Sequence, residues 1–450
     1  MGMDLDLPCS QALKKLYRHS IKSRASYHAA QTMRLLISPC TQLLTLCGSP
    51  LPRRGPRQAD LSIIQQGAVL IEGEVIQGIG SAEEVERDLK GLPVERISAE
   101  GCVVMPGFVD SHTHPVFVQP RDDEYELRIK GTTYQQIAER GGGILSSVRA
   151  MRNCSKEKLL QATLRRMSQF LEHGTTTVEA KSGYGLDLEN EVKMLEVIRE
   201  LAQITPLELV PTFLGAHEFP VEFRSHPEDY IDLVKNQMLP FIAERKLARF
   251  CDCFVEPHLF SLGDAEQICR AAQRYGLGIK LHADQLSRSG ATQLGVRLGA
   301  VSVDHLEQIS QEDIKALQQT NVVATLLPGS VFHLGLDRYA PARALIDAGV
   351  PVALATDFNP GSSPTLSMQM ILSLACTQMR MTPSEAIVAA TMNAAHALLR
   401  SGSVGSLEPG KQADLSIMQV EDYRQIPYFF GMNHCKMTIK KGQIVYQRPN

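Results

Sequence analysis

Eight short apolar runs, each followed by a stretch with helical periodicity, occupy the sequence from about residue 105 to about residue 395. They are CVVMPGFVDSHTH, TTTVEAKSGYG, LELVPTFLGAH, CDCFVEPH, LGIKLHAD, AVSVDHLE, NVVATLLPGS and VPVALATDFNP. Parallel strands need crossover helices, and a parallel sheet must be covered on both faces. The alternation therefore favours an α/β fold with a closed (β/α)8, TIM-type barrel. An open doubly wound sheet is the alternative, but no G-x-G-x-x-G motif follows an early strand.

The two ends of the sequence have a different pattern, with short strands joined by glycine turns. AVLIEGEVIQGIG near the start and MTIKKGQIVYQ near the end both predict a strand, a turn and a second strand. We expect residues 32–104 and 396–450 to form one small β-sandwich domain built from both termini. The barrel is then expected in residues 105–395.

The first 31 residues are acid-poor and basic. Residues 7–59 contain no Asp or Glu, and five basic residues lie between Lys14 and Arg24. Such a start is typical of a mitochondrial transit peptide, which is the minor alternative. A disordered extension is the main interpretation, because Asp4 and Asp6 precede the basic part and serine is only moderately frequent.

Composition and charge exclude several classes of function. The net charge of −3 and a pI near 6.5 give no electrostatic reason to expect nucleic acid or an anionic membrane as a partner. No uninterrupted apolar stretch reaches the ~18 residues of a membrane span. The ten cysteines include no C-x-x-C pair, which argues against a disulfide framework and against a thiolate zinc site. A reducing compartment, the cytosol, fits best.

Polar residues follow nearly every apolar run. His112 and His114 follow the first, Lys181 and Tyr184 the second, His217 the third, Glu256 and His258 the fourth, His282 and Asp284 the fifth, Asp304 and His305 the sixth, and Asp357 and Asn359 the eighth. In a (β/α)8 barrel the carboxyl ends of all strands meet at one rim, where active sites of this fold lie. Residues far apart in sequence should therefore converge.

A metal site is the strongest hypothesis for this rim. His112 and His114 are two residues apart on a strand, so their side chains point to the same side and suit one divalent metal ion. An H-x-H pair alone is a weak signal. Together with His282 and Asp357 it supplies three nitrogens and one carboxylate around an open position, which fits a catalytic zinc or iron better than a closed structural site.

Other polar residues receive structural interpretations. Lys280 precedes His282 by two residues and should be an ion-paired lysine of the barrel interior. Glu256, His258 and His333 are expected to be structural. His173 ends a helical stretch, where a cation suits the helix dipole.

The motifs together resemble the amidohydrolase superfamily and, more closely, its imidazolonepropionase family. The resemblance covers about residues 35–445 and rests on DSHTHPVFVQPRDDEY, AKSGYGL, FLGAHEFP, KLHADQLSRSGA, SVDHLE and ATDFNPGSSP. It implies hydrolysis of the cyclic amide of 4-imidazolone-5-propanoate to N-formimidoyl-L-glutamate in histidine degradation. It also implies a metal-activated water, one zinc or iron ion per chain, and a homodimer.

The resemblance also implies roles for individual residues. It places the metal on His112, His114, His282 and Asp357, and the substrate on Arg121, Tyr184, His217, Asn359, Gly361 and Ser362. His305 matches a histidine proposed to help activate the water. Gln285 stands where some bacterial members carry glutamate; glutamine can orient the substrate but cannot transfer a proton near neutral pH.

Hydrolysis of a cyclic amide needs groups that transfer a proton, stabilise an oxyanion and bind the substrate, and these residue types can do so. His305 and Asp357 could take the proton of the attacking water, and Asp357 could return it to the leaving nitrogen. The metal or His217 could hold the developing oxyanion. Arg121 suits a bidentate contact with the propionate, although a surface ion pair within RDDE is the structural alternative. Tyr184 lies in the glycine-flanked turn SGYG and has a structural alternative as well.

Three alternatives remain open at this stage. An aminohydrolase acting on a purine or pyrimidine would not need Arg121 to hold a carboxylate. A two-metal member of the superfamily needs a carboxylated lysine on the fourth strand, and CDCFVEPH contains no lysine. A non-catalytic barrel that has lost its metal is disfavoured by the intact set of His112, His114, His282 and Asp357.

Overall fold

The computed structural model of the protein describes residues 34–449 except 90, 92, 134, 135, 138 and 139. The predicted extension at residues 1–31, with its transit-peptide alternative, lies outside the described residues. Within the described part, no helix has both the length and the apolar character needed to cross a membrane.

Strands and helices alternate through the middle of the chain, as the periodicity predicts. The strands are β1 (Arg34–Leu44), β2 (Ile63–Glu72), β3 (Val75–Ser81), β4 (Glu95–Pro106), β5 (Phe108–Asp110), β6 (Thr175–Lys181), β7 (Glu208–Ala216), β8 (Phe250–Phe254), β9 (Gly278–Ala283), β10 (Ser302–His305), β11 (Val323–Leu326), β12 (Val352–Leu354), β13 (Leu415–Met418), β14 (Cys435–Lys440) and β15 (Gln443–Gln447). The α-helices are α1 (Ala82–Asp88), α2 (Asp122–Ile129), α3 (Ile144–Arg152), α4 (Lys156–Glu172), α5 (Leu188–Ile204), α6 (Pro227–Leu233), α7 (Leu239–Glu244), α8 (Leu262–Arg274), α9 (Ala291–Leu298), α10 (Gln311–Gln318), α11 (Pro328–Leu334), α12 (Ala342–Asp347), α13 (Met368–Met379), α14 (Pro383–Ala389), α15 (Met392–Ala397) and α16 (Gln425–Tyr428).

Strands β5 to β12 form one parallel eight-stranded sheet in chain order. The sheet closes between its first and last members just beyond the strand ends. There the backbone N–H of Asp357 donates to the carbonyl of His112 at 3.0 Å, and that of His114 donates to the carbonyl of Phe358 at 2.8 Å. The predicted (β/α)8 barrel is therefore confirmed, and the open doubly wound sheet is excluded.

The helices cover the barrel with apolar stripes of helical spacing. Helix α8 begins at a capping box, in which Ser261 and Asp264 satisfy each other's backbone N–H groups. It buries residues such as Ala265, Ile268 and Ala272 beside β8. The strands themselves are buried on both faces, and in β6 all seven residues are buried. Charged residues on strands such as β6 must therefore pair with one another inside the barrel.

The first apolar run is divided between two sheets, which the sequence pattern did not predict. Strand β4 ends at Pro106 in the terminal sheet, and β5 begins at Phe108 in the barrel. Gly107 joins them where a Cβ atom would lie 2.3 Å from Cγ2 of Thr176. A glycine is needed here because the backbone passes so close to β6.

Both chain ends form a separate sheet with the order β15-β14-β13-β4-β1-β2-β3. Strand β13 runs antiparallel to β4, so the two ends of the chain share one continuous sheet, which confirms the predicted β domain built from both termini. It docks on the barrel through hydroxyl groups: Thr438 donates to the carbonyl of Leu171 at 2.6 Å, and Ser416 donates to that of Gly174 at 2.8 Å. We propose domain boundaries at residues 32–104 and 396–450 for this domain and 105–395 for the barrel.

Barrel closure generates a stability prediction at Thr356. The carboxylate of Asp110 on β5 accepts hydrogen bonds from the backbone N–H of Thr356 at 2.9 Å and from its hydroxyl at 2.6 Å. Replacing Thr356 with valine leaves a buried carboxylate oxygen without its donor and should cost about 1–2 kcal/mol, seen as a lower Tm in calorimetry. Thr325→Val is the matched control, since the hydroxyl of Thr325 is buried without a hydrogen-bond partner among the described residues. Equal Tm values for the two variants would contradict the closing role of Thr356.

Candidate active site

Four predicted metal ligands, at or just beyond the ends of strands β5, β9 and β12, meet at the rim of the barrel. The Nε2 atom of His112 lies 3.1 Å from Nε2 of His282 and 3.3 Å from Nε2 of His114. The Nε2 atoms of His282 and His114 are 3.4 Å apart. Oδ1 of Asp357 lies 3.7 Å from Nε2 of His112 and 3.6 Å from Nε2 of His114. The four side chains therefore surround one point, as the strand-end pattern predicts.

These distances fit a metal ion. Ligand bonds of 2.0–2.2 Å in a tetrahedral arrangement place neighbouring ligand atoms about 3.3–3.6 Å apart. Nδ1 of His112 lies 2.6 Å from Oδ2 of Asp304, and Nδ1 of His282 lies 3.0 Å from Oδ2 of Asp252. A carboxylate oxygen beside each Nδ1 favours the tautomer with the proton on that atom, which leaves a lone pair on each Nε2. Lone pairs converging on one point repel one another unless a cation lies between them.

Burial keeps the imidazoles in the neutral form that binds metal. It lowers the pKa of His112 and His114 well below the usual range, and that of His282 to about 4. Burial has the opposite effect on the carboxyl group and raises the pKa of Asp357 to about 7. A nearby cation favours the ionised carboxylate.

A charged floor inside the barrel lies beneath the histidines. We use this name for five buried residues: Glu179, Lys181, Asp252, Lys280 and Asp304. The ammonium group of Lys181 lies 2.7 Å from Asp252 and 2.9 Å from Glu179. That of Lys280 lies 3.2 Å from Glu179 and 3.5 Å from Asp304. Because Asp252 and Asp304 also contact His282 and His112, the floor fixes the orientation of two metal-site histidines.

Lys181 and Asp252 keep their charges within the floor despite complete burial. Burial opposes the charge of Lys181, but the carboxylates of Asp252 and Glu179 outweigh it and raise the lysine pKa above its usual value. Burial likewise raises the pKa of Asp252, but His282 and Lys181 outweigh it and hold that pKa well below the usual range. Lys280 is thus confirmed as an ion-paired interior lysine.

A cavity of about 350 Å³ opens from the ligand cluster to the surface. Its walls include most of the predicted site residues, namely His114, Arg121, Tyr184, His217, His282, Gln285, His305, Asp357, Asn359 and Ser362. His112 lies behind this wall, in contact with His114 and His282. Gly361 belongs to the loop beneath Arg121. The sequence motifs therefore converge on one cavity.

Arg121 is buried at this cavity and is not a surface residue. Only 8% of it is exposed, and its nearest carboxylate oxygen, on Glu124, is 3.7 Å from Nη1. Neither Nε nor Nη1 has a hydrogen-bond partner among the described residues. Gly361 makes room for the guanidinium group, because a Cβ there would lie 1.5 Å from Nη2 of Arg121. A buried guanidinium with unused donors suits an anionic ligand.

His217 and Tyr184 form another part of the cavity wall. The ring of His217 stacks on that of His114 at 5.2 Å, and Tyr184 lies 5.4 Å from His217 between ring centroids. Burial lowers the pKa of His217 to about 3, so the ring is neutral. Its Nδ1–H donates to the carbonyl of Gly183 at 2.9 Å, which leaves Nε2 as an acceptor. The oxyanion role predicted for His217 needs a donor there, so this tautomer does not support it.

His305 lies beside the ligand cluster in a strained backbone conformation. Its φ is 87°, and Asp357 also has a positive φ, of 53°. Such values are uncommon for residues other than glycine and cluster at functional sites. Burial opposes protonation of His305, but Glu307, followed by Asp357 and Asp304, outweighs it and raises the histidine pKa.

Asn359 organises the loop after β12. Its Nδ2 donates to the carbonyl of Asp357 at 2.7 Å and to the hydroxyl of Ser362 at 2.8 Å. Its Oδ1 accepts from the backbone N–H groups of Gly361 and Ser362 at 2.8 and 2.7 Å. The amide is fully used within the loop, so direct substrate binding by Asn359 stays a prediction.

Among the remaining polar residues, Glu256 and His333 have structural contacts, whereas His258 is exposed. Glu256 accepts from the backbone N–H of Leu286 at 2.8 Å and from the hydroxyl of Ser287 at 2.5 Å, and so orders the loop that carries Gln285. His258 is exposed, and His333 stacks on Tyr125 at 4.9 Å.

Sequence reasoning overlooked the partners within the floor. Asp252 and Glu179 were given no role, although each is a single carboxylate inside an apolar strand. The sequence signal that could have identified Asp252 is its position as the lone charged residue of the β8 segment FCDCF. A charged residue in a buried strand needs a partner of opposite charge on a neighbouring strand.

Comparisons with known proteins identify the family of the chain. The amidohydrolase family profile matches residues 103–445. Imidazolonepropionase of Solibacter usitatus is 50% identical over 409 residues, which are 91% of this chain and 98% of that protein. Imidazolonepropionase of Geobacillus kaustophilus is 46% identical over 414 residues, or 91% of this chain and 97% of that protein.

Solved structures share the fold at much lower identity. An adenosine deaminase of Xanthomonas campestris with bound zinc has a TM-score of 0.67 at 19% identity and covers 92% of each chain. Guanine deaminase of E. coli has a TM-score of 0.70 at 16% identity and covers 93% of this chain and 100% of that one. At this identity the similarity concerns the fold alone.

The ligand geometry predicts that metal content depends on His282. His282→Ala should reduce bound metal from about one ion per chain to a small fraction, because one of four ligands is lost. Circular dichroism should stay unchanged, since the barrel core stabilises the fold. His173→Ala is the control, because His173 caps the end of α4 and should leave the metal content unaltered. Elemental analysis that finds full metal occupancy in His282→Ala would rule out the ligand assignment.

Proposed function

The chain belongs to the amidohydrolase family and, within it, to the imidazolonepropionases, and from this premise we propose that it hydrolyses 4-imidazolone-5-propanoate to N-formimidoyl-L-glutamate. Water adds to the ring carbonyl, the ring C–N bond breaks, and the leaving nitrogen receives a proton. The product is an open-chain formimidoyl derivative of glutamate. The reaction is a step of histidine degradation.

One observation carries the proposal: a buried guanidinium and a metal-binding cluster face the same cavity. Arg121 offers donors for a carboxylate, and the cluster of His112, His114, His282 and Asp357 lies in the same enclosure. A substrate with an anionic tail and a hydrolysable ring matches both features. A neutral purine or pyrimidine would leave the guanidinium without a partner, which disfavours a deaminase.

We assign the metal to Nε2 of His112, His114 and His282 and to Oδ1 of Asp357. When bound, a zinc or iron ion at these atoms would supply Lewis acidity and lower the pKa of water toward ~7. Three nitrogens and one carboxylate suit either metal. The charged floor supports the assignment, because Asp252 and Asp304 hold the imidazoles with Nε2 toward the cluster.

His305 and Asp357 are the residues that handle protons in this proposal. Both line the cavity. His305 helps to take the proton of the attacking water through a ring nitrogen, and Asp357 receives that proton and returns it to the leaving nitrogen. Gln285 lines the same cavity and orients the substrate without transferring a proton.

The remaining wall residues bind and orient the substrate. Arg121 holds the propionate in a bidentate contact, which places the ring toward the ligand cluster. His217 accepts a ring N–H at Nε2, since its Nδ1–H is already donated to Gly183. Tyr184 and Ser362 complete the polar wall. Gly361 contributes by leaving space for the arginine.

We further propose that the enzyme is cytosolic and forms a homodimer. All described cysteines are free thiols, in keeping with a reducing compartment. The dimer follows from the family resemblance, and its test is the molar mass in solution.

The experiment that tests the function is turnover of freshly generated 4-imidazolone-5-propanoate by the full chain, followed by ultraviolet absorbance. The expected product is N-formimidoyl-L-glutamate, identified by mass spectrometry. A metal-loaded, folded protein that leaves this substrate unchanged would refute the proposal. Deamination of a purine by the same preparation would favour the aminohydrolase alternative.

Substitution of Arg121 should weaken binding and rate together. Loss of a charge-assisted contact costs about 2–4 kcal/mol, or roughly 30- to 1,000-fold in kcat/KM for Arg121→Ala. Arg121→Lys should recover only part of this, because it keeps the charge and loses the planar fork. Gly361→Ala should also raise KM, since its methyl group would displace the guanidinium.

Arg288→Ala provides the control for these kinetics. Arg288 lies on the loop after β9 but is exposed and paired with Glu312 at 3.3 Å, so its loss should leave kcat/KM unchanged. Normal turnover by Arg121→Ala would show that Arg121 does not hold the substrate.

A further inference from the structure

Glu307 is a buried carboxylate next to the site that has no task in the reaction described so far. It follows β10 and is only 4% exposed. Oε1 lies 3.5 Å from Nδ1 of His305, and neither Oε2 nor that Nδ1 has a hydrogen-bond partner among the described residues. Within that part of the chain, His305 is its ion-pair partner inside 4 Å. A buried carboxylate with so little compensation is costly to the fold, which indicates a functional reason for it.

The backbone between the two residues is strained in a way that brings their side chains together. His305 and Leu306 have φ values of 87° and 73°, so two consecutive residues other than glycine adopt left-handed conformations. Each such residue costs of order 1–3 kcal/mol and persists only where the surroundings fix it. This turn follows β10 directly and places Glu307 beside the imidazole.

Backbone hydrogen bonds hold this turn against the end of β9. The N–H of Leu306 donates to the carbonyl of Ala283 at 3.1 Å, and the N–H of Gln308 donates to that of Asp284 at 2.8 Å. Ala283 directly follows the metal-site residue His282. The position of Glu307 is therefore tied to the same strand end that carries a metal ligand.

Glu307 and His305 also lie on different cavities that adjoin each other. His305 lines the main cavity, whereas Glu307 lines a second cavity of about 200 Å³. The two cavities share Gln285, Leu334 and Leu336 as walls. Glu307 is therefore a neighbour of His305 that does not itself line the substrate space.

We propose that Glu307 is a positioning residue that holds the His305 imidazole by its Nδ1–H, so that Nε2 is the nitrogen available to the attacking water. A ring nitrogen of His305 lies within 4.8 Å of the ligating atoms of His112 and His282, beside the position that the attacking water would occupy. A carboxylate behind a catalytic histidine selects its tautomer and fixes its ring plane. The inference deepens the proposed function, on which it rests through the role of His305.

The test is a double-mutant cycle in the full-length, metal-loaded enzyme with 4-imidazolone-5-propanoate. Glu307→Ala should lower kcat by about 10- to 100-fold with KM nearly unchanged, because substrate contacts are intact. Glu307→Gln should recover part of kcat, since its amide oxygen can still accept the Nδ1–H. Metal content and Tm are measured for each variant, and Glu307→Gln remains informative if the alanine variant does not fold.

Non-additivity separates positioning from a merely structural role. In a His305→Ala background, a further Glu307→Ala should change kcat less than about twofold, because the residue has nothing left to position. Additive losses in the double variant would overturn the proposal. Gln308→Ala is the matched control: Gln308 lines the same second cavity, and equal losses in both alanine variants would mean that the cavity wall alone matters.

The outcomes also distinguish this inference from the proposed function. No turnover by the wild-type enzyme would refute the function itself. Normal turnover by Glu307→Ala, with His305→Ala inactive, would refute only the positioning role. Full activity of His305→Ala would remove the role of His305 and the inference with it.

Discussion

Closure of the barrel between its first and last strands is the constraint on which the site depends. The two backbone hydrogen bonds that link His112 to Asp357 and His114 to Phe358 complete the ring of strands. The same residues carry three of the four predicted metal ligands. The metal ligands therefore converge only when the barrel is closed. If the first and last strands separated, His112 and His114 would move away from the carboxylate of Asp357.

The charged floor explains why the histidines point where they do. Two lysines and three carboxylates lie fully buried beneath the cluster, an arrangement that is stable only when every charge is paired. With all five groups ionised the floor carries one net negative charge under neutral imidazoles. Such a field favours a cation at the convergence of the Nε2 atoms and orients His112 and His282 toward it.

The sequence predicted the barrel and its rim because both follow from local patterns. Apolar runs alternating with helical stretches identify the strands, and the fold rule brings His282 and Asp357 to His112 and His114. Other features depend on distances that no local pattern contains. The pairing of Asp252 with Lys181 depends on which neighbouring strands face each other, and the division of the first run at Gly107 depends on the approach of Thr176. Likewise, Gly183 sets the tautomer of His217.

X-ray absorption at the metal edge, recorded on the purified full chain, tests the central claim most directly. The predicted spectrum shows a first shell of three nitrogens and one oxygen at about 2.0–2.2 Å for zinc, with the outer-shell scattering of imidazole rings. It should disappear in a variant that lacks a ligand histidine. A spectrum dominated by sulfur at about 2.3 Å, or a protein that is active and folded without any bound metal, would contradict the account.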